Sequence, residues 1–212
     1  RVRSSAASDV YKRQFFNIIT GAQRPDEGKI EWAKNINIGY LDQHTVLEKG
    51  LSIRDVLKSA FADLFEMEIR MNTICEQLCD ADEDTMNALM EELGVIQDTL
   101  TLRDFYLIDS KVDEIARAFG LTDIGLDKDV TDLSGGQRTR ILLGKLLLQK
   151  PDILLLDEPT SNVDSINEGI ILKALKEQKH QKSIILVSHR ESTMAIADRI
   201  YRVERGQMYE QK

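Results

Sequence analysis

The chain has 212 residues, of which 42% are hydrophobic and 30% are charged, with a formal net charge of −8. This length suffices for one substantial domain with an insertion. The acidic balance argues against broad, non-specific nucleic-acid binding. The sequence contains no run of 18 apolar residues, so no membrane span is predicted.

Residues 1–14 differ in composition from the rest of the chain. They are mostly small, polar or basic, show no strand or helix periodicity, and lack the apolar core of a signal peptide. The stretch resembles translated adapter sequence found at the ends of metagenomic reads, so we interpret it as a non-native, disordered leader. Residues 15–212 are expected to carry the fold.

Two segments then alternate between apolar and polar residues. Lys29 to Trp32 and Asn35 to Leu41 are predicted to be strands of a small antiparallel sheet. Residues 51–120 have helical periodicity, and the polar stretch Cys79 to Asp84 divides it into the two arms of a helical hairpin. Eleven acidic residues and one base, Arg70, lie between positions 63 and 98, which predicts a solvated face. Cys75 and Cys79, four positions apart, could form a metal pair or a disulfide, but no second pair of ligands is visible, so they are predicted to pack as ordinary helix residues.

The segment Leu133-Ser134-Gly135-Gly136-Gln137 predicts a turn that opens a helix. Ser134 can cap that helix, and Gln137 completes a Ser-x-x-Gln capping box. Bare glycine backbone at the positive end of a helix forms a site for an anion such as a phosphate.

A strand of buried apolar residues, Ile153 to Leu156, is predicted to end in two carboxylates, Asp157 and Glu158. Oxygen ligands at this position suit Mg²⁺, and a water that attacks phosphorus needs a base. Gly169 to Gln178 and Ser183 to Ser188 then predict a crossover helix and a parallel strand. A closing hairpin is expected around Gly206, from Ile200 to Arg205 and from Met208 to Glu210.

Four motifs in this order resemble those of ATP-binding cassette (ABC) ATPases, over roughly residues 15 to 212. Leu133 to Gln137 looks like their signature, and Ile153 to Glu158 resembles their Walker B strand. Ser161-Asn162-Val163-Asp164 is similar to their D-loop, and Ser188-His189 to their switch histidine. The resemblance implies an α/β fold of the P-loop NTPase type: a parallel core sheet flanked by helices, a small antiparallel part, and a helical subdomain at about 51–120 with an arm-like insertion.

The resemblance also implies hydrolysis of Mg²⁺-bound ATP in a head-to-tail dimer of cassettes, from the same or a tandem chain. Asp157 would hold Mg²⁺, Glu158 would polarise the attacking water, and His189 would contact the γ-phosphate. Gln43 would sense metal and γ-phosphate. The residues implied to face the ATP of the partner cassette are Ser134, Gly135, Gly136, Gln137 and Asp164.

One family motif has no counterpart in these 212 residues. The Gly-x-x-x-x-Gly-Lys-Ser/Thr loop (Walker A), which cradles phosphates, precedes the family segment that resembles Phe15 to Gly21. We therefore expect the chain to be truncated at its N-terminus. A third hypothesis follows, in which the chain as given is a folded remnant that does not hold ATP, although the parent protein is an ATPase.

Two subfamily patterns coexist in the chain. The long segment between Gln43 and Ser134, and Arg138 to Leu143 after the signature, resemble ABC-F proteins, which are soluble ATPases that act on ribosomes. From Ser161 onward the residues resemble ABC exporters, which work with a membrane permease. The sequence is consistent with a chimera of two reads joined near residue 160, or with one divergent family member. The expected location is cytoplasmic in either case.

Overall fold

The computed structural model describes residues 14–41, 47–161, 163–179, 182–204 and 207–211. Among these residues, no helix is both long and apolar enough to cross a membrane.

Helices dominate the first two thirds of the described chain, and strands alternate with helices in the last third. The elements are α1 (14–19), β1 (Ile38–Leu41), α2 (Ile53–Lys58), α3 (Ala62–Gln77), α4 (Glu83–Leu102), α5 (Ile108–Ala118), α6 (Gly135–Leu148), β2 (Ile153–Asp157), α7 (Ser165–Gln178), β3 (Ser183–Val187), α8 (Glu191–Met194), β4 (Ile200–Glu204) and β5 (Gln207–Gln211).

The central sheet is parallel, with β2 between β1 and β3. Leu156 lies opposite Leu41 on one side and Leu186 on the other. Leu154, Leu155 and Leu156 are fully buried, as expected for a strand covered on both faces. The carboxyl ends of β1, β2 and β3 therefore meet at one edge of the sheet. The parallel α/β architecture predicted from the sequence is confirmed.

The prediction of an antiparallel sheet from Lys29 to Leu41 is wrong. Residues 29–32 form no strand, and Ile38–Leu41 instead pairs in parallel with the strand of Ile153 to Leu156. Alternation indicated a strand here, and the residues of β1 do alternate between half-buried and buried. Alternation does not determine the partner strand, however, and here the partner lies more than a hundred positions away. The antiparallel part of the described fold is the hairpin of β4 and β5.

Helices cover both faces of the parallel sheet. A side chain at Gly39 of β1 would lie within 3.1 Å of Leu146 of α6 and of Pro151, so only glycine allows this close approach. Phe16 of α1 is fully buried and stacks on Tyr40, with ring centroids 5.8 Å apart. The close approach at Gly39 places α6 directly against one face of the sheet, and Phe16 covers the opposite face at Tyr40, because successive strand residues point to opposite faces.

The predicted helical hairpin is formed by α3 and α4, and its two arms are joined by an ion pair between Arg70 and Glu92 at 2.7 Å. The hydrogen bond from Arg70 lowers the pKa of Glu92. Cys75 and Cys79 are free and exposed, so the prediction that they pack is wrong. Cys75 lies on the exposed side of α3, next to the fully buried Ile74, and Cys79 lies in the turn between the two arms.

Gly144, inside α6, lies where this helix packs closely against α2 and α5. A Cβ there would lie 2.9 Å from Ile115 and 3.2 Å from Leu57. We expect Gly144→Ala to lower the free energy of unfolding by about 1–2 kcal/mol, because overpacking outweighs the gain in helix propensity. Gly94→Ala in α4 is the matched control, since no atom beyond its chain neighbours and the backbone of its own helix lies within 4 Å of its Cβ position. That control should raise the stability by about 0.5–1 kcal/mol. Urea unfolding measures both, and equal effects of the two substitutions would contradict the packing argument.

The carboxylate of Asp82, the N-cap of α4, is expected to make the stability of the fold depend on pH. Its carboxylate accepts a hydrogen bond from the Thr85 amide at 2.9 Å, and bonds from Thr85 lower its pKa. The charged form therefore stabilises the fold above the ordinary Asp pKa, and this contribution is lost as the pH falls through the depressed pKa. Asp82→Asn keeps an acceptor but cannot titrate, so its stability should fall less steeply between about pH 5 and about pH 2.

Urea unfolding over that pH range measures the slope. The Asp82→Ala variant also lacks the acceptor and should be less stable than Asp82→Asn at every pH. If the stability of Asp82→Asn fell with decreasing pH as steeply as that of the wild-type protein, the prediction would be wrong.

Candidate nucleotide site at the carboxyl edge of the parallel sheet

The candidate site is the edge where β2 and β3 end side by side. Asp157, the last residue of β2, lies opposite Val187, the last residue of β3. The pairing continues for one more residue, because the Glu158 amide donates a hydrogen bond to the Val187 carbonyl at 3.0 Å. Asp157 and Glu158, at the end of β2, and His189, two residues beyond the end of β3, therefore lie at the ends of neighbouring strands.

Glu158 and His189 are in contact. His189 Nδ1 lies 3.2 Å from a carboxylate oxygen of Glu158. The Glu158 side chain is 17% exposed and the imidazole 62%, so the acid is sheltered while the imidazole faces solvent. This pair can share or move a proton at an accessible surface.

Glu158 also has a left-handed backbone conformation, with φ of +46°. A residue with a Cβ is strained there by about 1–2 kcal/mol. The turn is stabilised on both sides, since the Glu158 carbonyl accepts a hydrogen bond from the Ser161 amide at 3.0 Å. The strand therefore stops at Asp157, and Glu158 starts a tight turn into the next loop.

Asp157 is 5% exposed and is the buried carboxylate of the pair. Within the described ranges, no group of three or more His, Cys, Asp or Glu residues is arranged to hold a metal ion. A single buried carboxylate nevertheless fits Mg²⁺, which proteins bind through one or two carboxylates together with waters and phosphate oxygens. Asp157 is thus a suitable ligand for a Mg²⁺ ion that arrives with a nucleotide.

Gln43 lies outside the described residues. The strand before it, β1, ends at Leu41 opposite Leu156 of β2, at the same edge of the sheet. The role of Gln43 stays a prediction.

The signature turn forms the predicted capping box at the start of α6. The Ser134 hydroxyl accepts from the Gln137 amide at 3.3 Å, and the Gln137 side-chain oxygen accepts from the Ser134 amide at 2.9 Å. Ser134 and Gly135 are exposed, whereas Gly136 is buried. The turn therefore presents a hydroxyl and a bare glycine at the positive end of a 14-residue helix.

Gly136 lies in a tight contact. A Cβ at this position would lie 3.2 Å from Val163 and 3.3 Å from Asn167, so a larger residue would require these neighbours to shift by a few tenths of an ångström. The signature turn is consequently supported by the loop that follows β2.

Asp164 caps α7. One carboxylate oxygen accepts from the amides of Ile166 and Asn167 at 3.0 and 2.9 Å, and the other accepts from the Asn167 side chain. These bonds, chiefly the one from the Asn167 amide, lower the pKa of Asp164. Both oxygens are engaged within the chain, and a contact of Asp164 with nucleotide stays a prediction.

Two arginines in this region were assigned no role from the sequence. Arg190 contacts Glu168 and the carbonyls of Ser161 and Val163. The sequence offered two signals for this contact. Arg190 immediately follows the candidate histidine, and Glu168 lies four residues after the capping Asp164.

Arg140 of α6 is buried and donates to the carbonyls of Phe119 and Gly120 at 2.8 and 3.2 Å. Burial lowers the pKa of its guanidinium. Arg140 thereby joins the signature helix to the end of α5.

Comparison with known proteins agrees with this geometry. The family model described as "ABC transporter" matches residues 12–161. The Bacillus subtilis protein described as "Uncharacterized ABC transporter ATP-binding protein YfmM" is 57% identical over 198 residues, which are 93% of this chain and 38% of that protein. "Energy-dependent translational throttle protein EttA" of Mycobacterium tuberculosis is 31% identical over 199 residues, which are 93% of this chain and 34% of that protein.

The fold also matches a solved structure of the archaeal ribosome recycling factor aABCE1 in complex with ribosomal stalk protein aP1. The TM-score is 0.58 at 22% identity, over 92% of this chain and 30% of that chain. This chain thus spans little more than a third of the length of the two curated relatives. A family match over most of the chain, together with the parallel sheet and the signature turn, shows that the chain belongs to the ABC family of ATP-binding proteins.

Proposed function

We propose that the product of the complete gene containing this sequence hydrolyses Mg²⁺-bound ATP and acts on the ribosome as an ABC-F type ATPase. The observation that carries the ATPase part is the contact between Glu158 and His189 beside the buried Asp157. The ribosomal part is supported by the likeness to EttA, whose name describes a translational throttle. The two-armed helical hairpin of α3 and α4 supports it as well. Action on the ribosome implies a cytoplasmic location.

We propose the following roles for the residues of the site. Asp157 binds the Mg²⁺ of the nucleotide, and Glu158 accepts a proton from the attacking water. His189 holds that carboxylate in place through Nδ1 and presents the rest of its ring to the γ-phosphate. A Mg²⁺ ion held there would neutralise charge on the phosphates, and phosphoryl transfer depends mainly on such charge stabilisation and on positioning. Gln43 would complete this set from the end of β1.

The signature turn is proposed to act on a second cassette. Ser134 and Gly135 are exposed at the positive start of α6, so they can meet the phosphates of a nucleotide held by a partner. In this proposal residues 15–212 are one cassette's share of the site, with residues 51–120 as its helical subdomain. Closing two such cassettes would gate both binding and hydrolysis.

An exporter subunit is the second candidate. The YfmM relative is named as an ABC transporter ATP-binding protein, and the residues from Ser161 onward resemble exporters. The ribosome and a membrane permease are therefore the alternative partners.

The Glu158 assignment is tested with Glu158→Gln in the product of the complete gene. The amide keeps the size of the side chain but removes the base, so hydrolysis should fall by about a hundredfold or more while Mg²⁺-dependent binding of ATP persists. Steady-state phosphate release and titration with a fluorescent ATP analogue measure the two properties. Glu191→Gln, an exposed acid at the start of α8, is the control and should hydrolyse ATP at the wild-type rate. A fully active Glu158→Gln protein would rule out the assignment.

The partner is tested by sedimentation. The Glu158→Gln protein with ATP should stay in the bound state, so we expect it to co-sediment with ribosomes and to be released when ATP is omitted. Co-purification with a membrane permease, without ribosome binding, would instead support the exporter.

A further inference from the structure

Arg190 joins the two loops that border the candidate site. Its guanidinium donates to the Ser161 carbonyl at 3.3 Å and to the Val163 carbonyl at 3.4 Å, both in the loop after β2. Arg190 itself belongs to the loop after β3, immediately after His189. One planar group with five donors therefore spans the gap between the loop that follows Glu158 and the loop that carries His189.

Glu168 holds this guanidinium in place. Its side chain is 11% exposed on α7 and forms an ion pair with Arg190, and it also accepts a hydrogen bond from the Ser192 hydroxyl. The backbone of Arg190 is held separately, because its amide donates to the Ser188 hydroxyl at 3.1 Å. Both ends of the arginine are fixed, so it can transmit a shift of one loop to the other.

Arg190 is connected on one side to the signature turn and on the other side to the His189–Glu158 pair. On one side, Val163 packs against the position of Gly136 in the signature turn. On the other side, His189 contacts Glu158. A continuous set of contacts therefore runs from the signature turn through Val163 and Arg190 to the His189–Glu158 pair.

We propose that Arg190, held by Glu168, is a positioning residue that keeps His189 and Glu158 in register with the loop supporting the signature turn. The inference rests on the proposed ATPase function and adds to it a link within the chain between the face offered to a partner cassette and the proton-accepting pair. Without the guanidinium, the carbonyls of Ser161 and Val163 lose this donor, and Glu168 loses its ion pair.

The informative variant is Arg190→Lys. Lysine keeps the positive charge beside Glu168, but a single ammonium group cannot reproduce the planar fork that reaches both carbonyls. Arg117→Lys is the matched control, because Arg117 also donates to a backbone carbonyl, that of Asp113 at 3.2 Å, but on α5. Glu168→Gln serves as a second variant, since it keeps an acceptor for Ser192 and removes the ion pair.

Two measurements test the inference. In the product of the complete gene, Arg190→Lys should lower kcat for ATP about tenfold and leave KM within about twofold, since binding groups are retained while their alignment is lost. In the 212-residue chain labelled with ¹⁵N-histidine, the imidazole signals of His189, assigned with His189→Gln, should move in Arg190→Lys and in Glu168→Gln. The same signals should not move in Arg117→Lys.

An unchanged kcat, or unmoved His189 signals in both variants, would overturn the inference. If the wild-type protein hydrolyses no ATP, the proposed function fails on that result alone. The histidine spectra then still decide whether Arg190 and Glu168 position His189.

Discussion

The parallel pairing of β2 with β3 is the constraint on which the candidate site depends. It brings Asp157, at the end of a buried leucine strand, beside Val187, which ends a second strand 30 positions later in the chain. Burial of Leu154, Leu155 and Leu156 stabilises the sheet by about 1.5–3 kcal/mol for each side chain. The apolar run ends at Asp157, and a slip that carried this carboxylate into the buried part of the sheet would cost desolvation energy, so the hydrophobic core also determines the position of Asp157.

The strand ends in a strained turn. Glu158 has a positive φ, and the surrounding hydrogen bonds from Ser161 and to Val187 compensate for that conformation. The consequence is a change of direction that brings the Glu158 carboxylate to His189 rather than along the strand. Strain that is fixed by neighbouring bonds commonly marks functional positions. Here the strained residue is the one proposed to accept a proton.

Much of this arrangement follows from local sequence. The capping box of Ser134 and Gln137 needs only residues three positions apart, and the buried strand before Asp157 needs only a run of apolar residues. Both were predicted correctly, as were the crossover from β2 to β3 and the hairpin of α3 and α4. The individual helices and strands are determined by neighbours along the chain, and the parallel pairing of β2 with β3 follows from the order strand, helix, strand.

The features that the sequence did not reveal depend on distant partners. The strand at Ile38–Leu41 alternates as an antiparallel strand would, but its partner is β2, and pairing over that separation leaves no local signal. The contacts of Arg190 with Glu168 and two carbonyls likewise exist only because two loops meet in space. The exposure of Cys75, next to the fully buried Ile74, likewise depends on which face of α3 is covered, and helical periodicity alone does not determine that.

The central claim is that this edge of the sheet holds the metal of a bound nucleotide. Paramagnetic Mn²⁺ in place of Mg²⁺ tests it most directly, with ATP and the ¹⁵N-labelled product of the complete gene. We expect the amide signals of Asp157, Glu158 and His189 to broaden first, whereas those of α3 and α4 stay sharp. Broadening centred on the acidic hairpin, with sharp signals at Asp157 and Glu158, would contradict it.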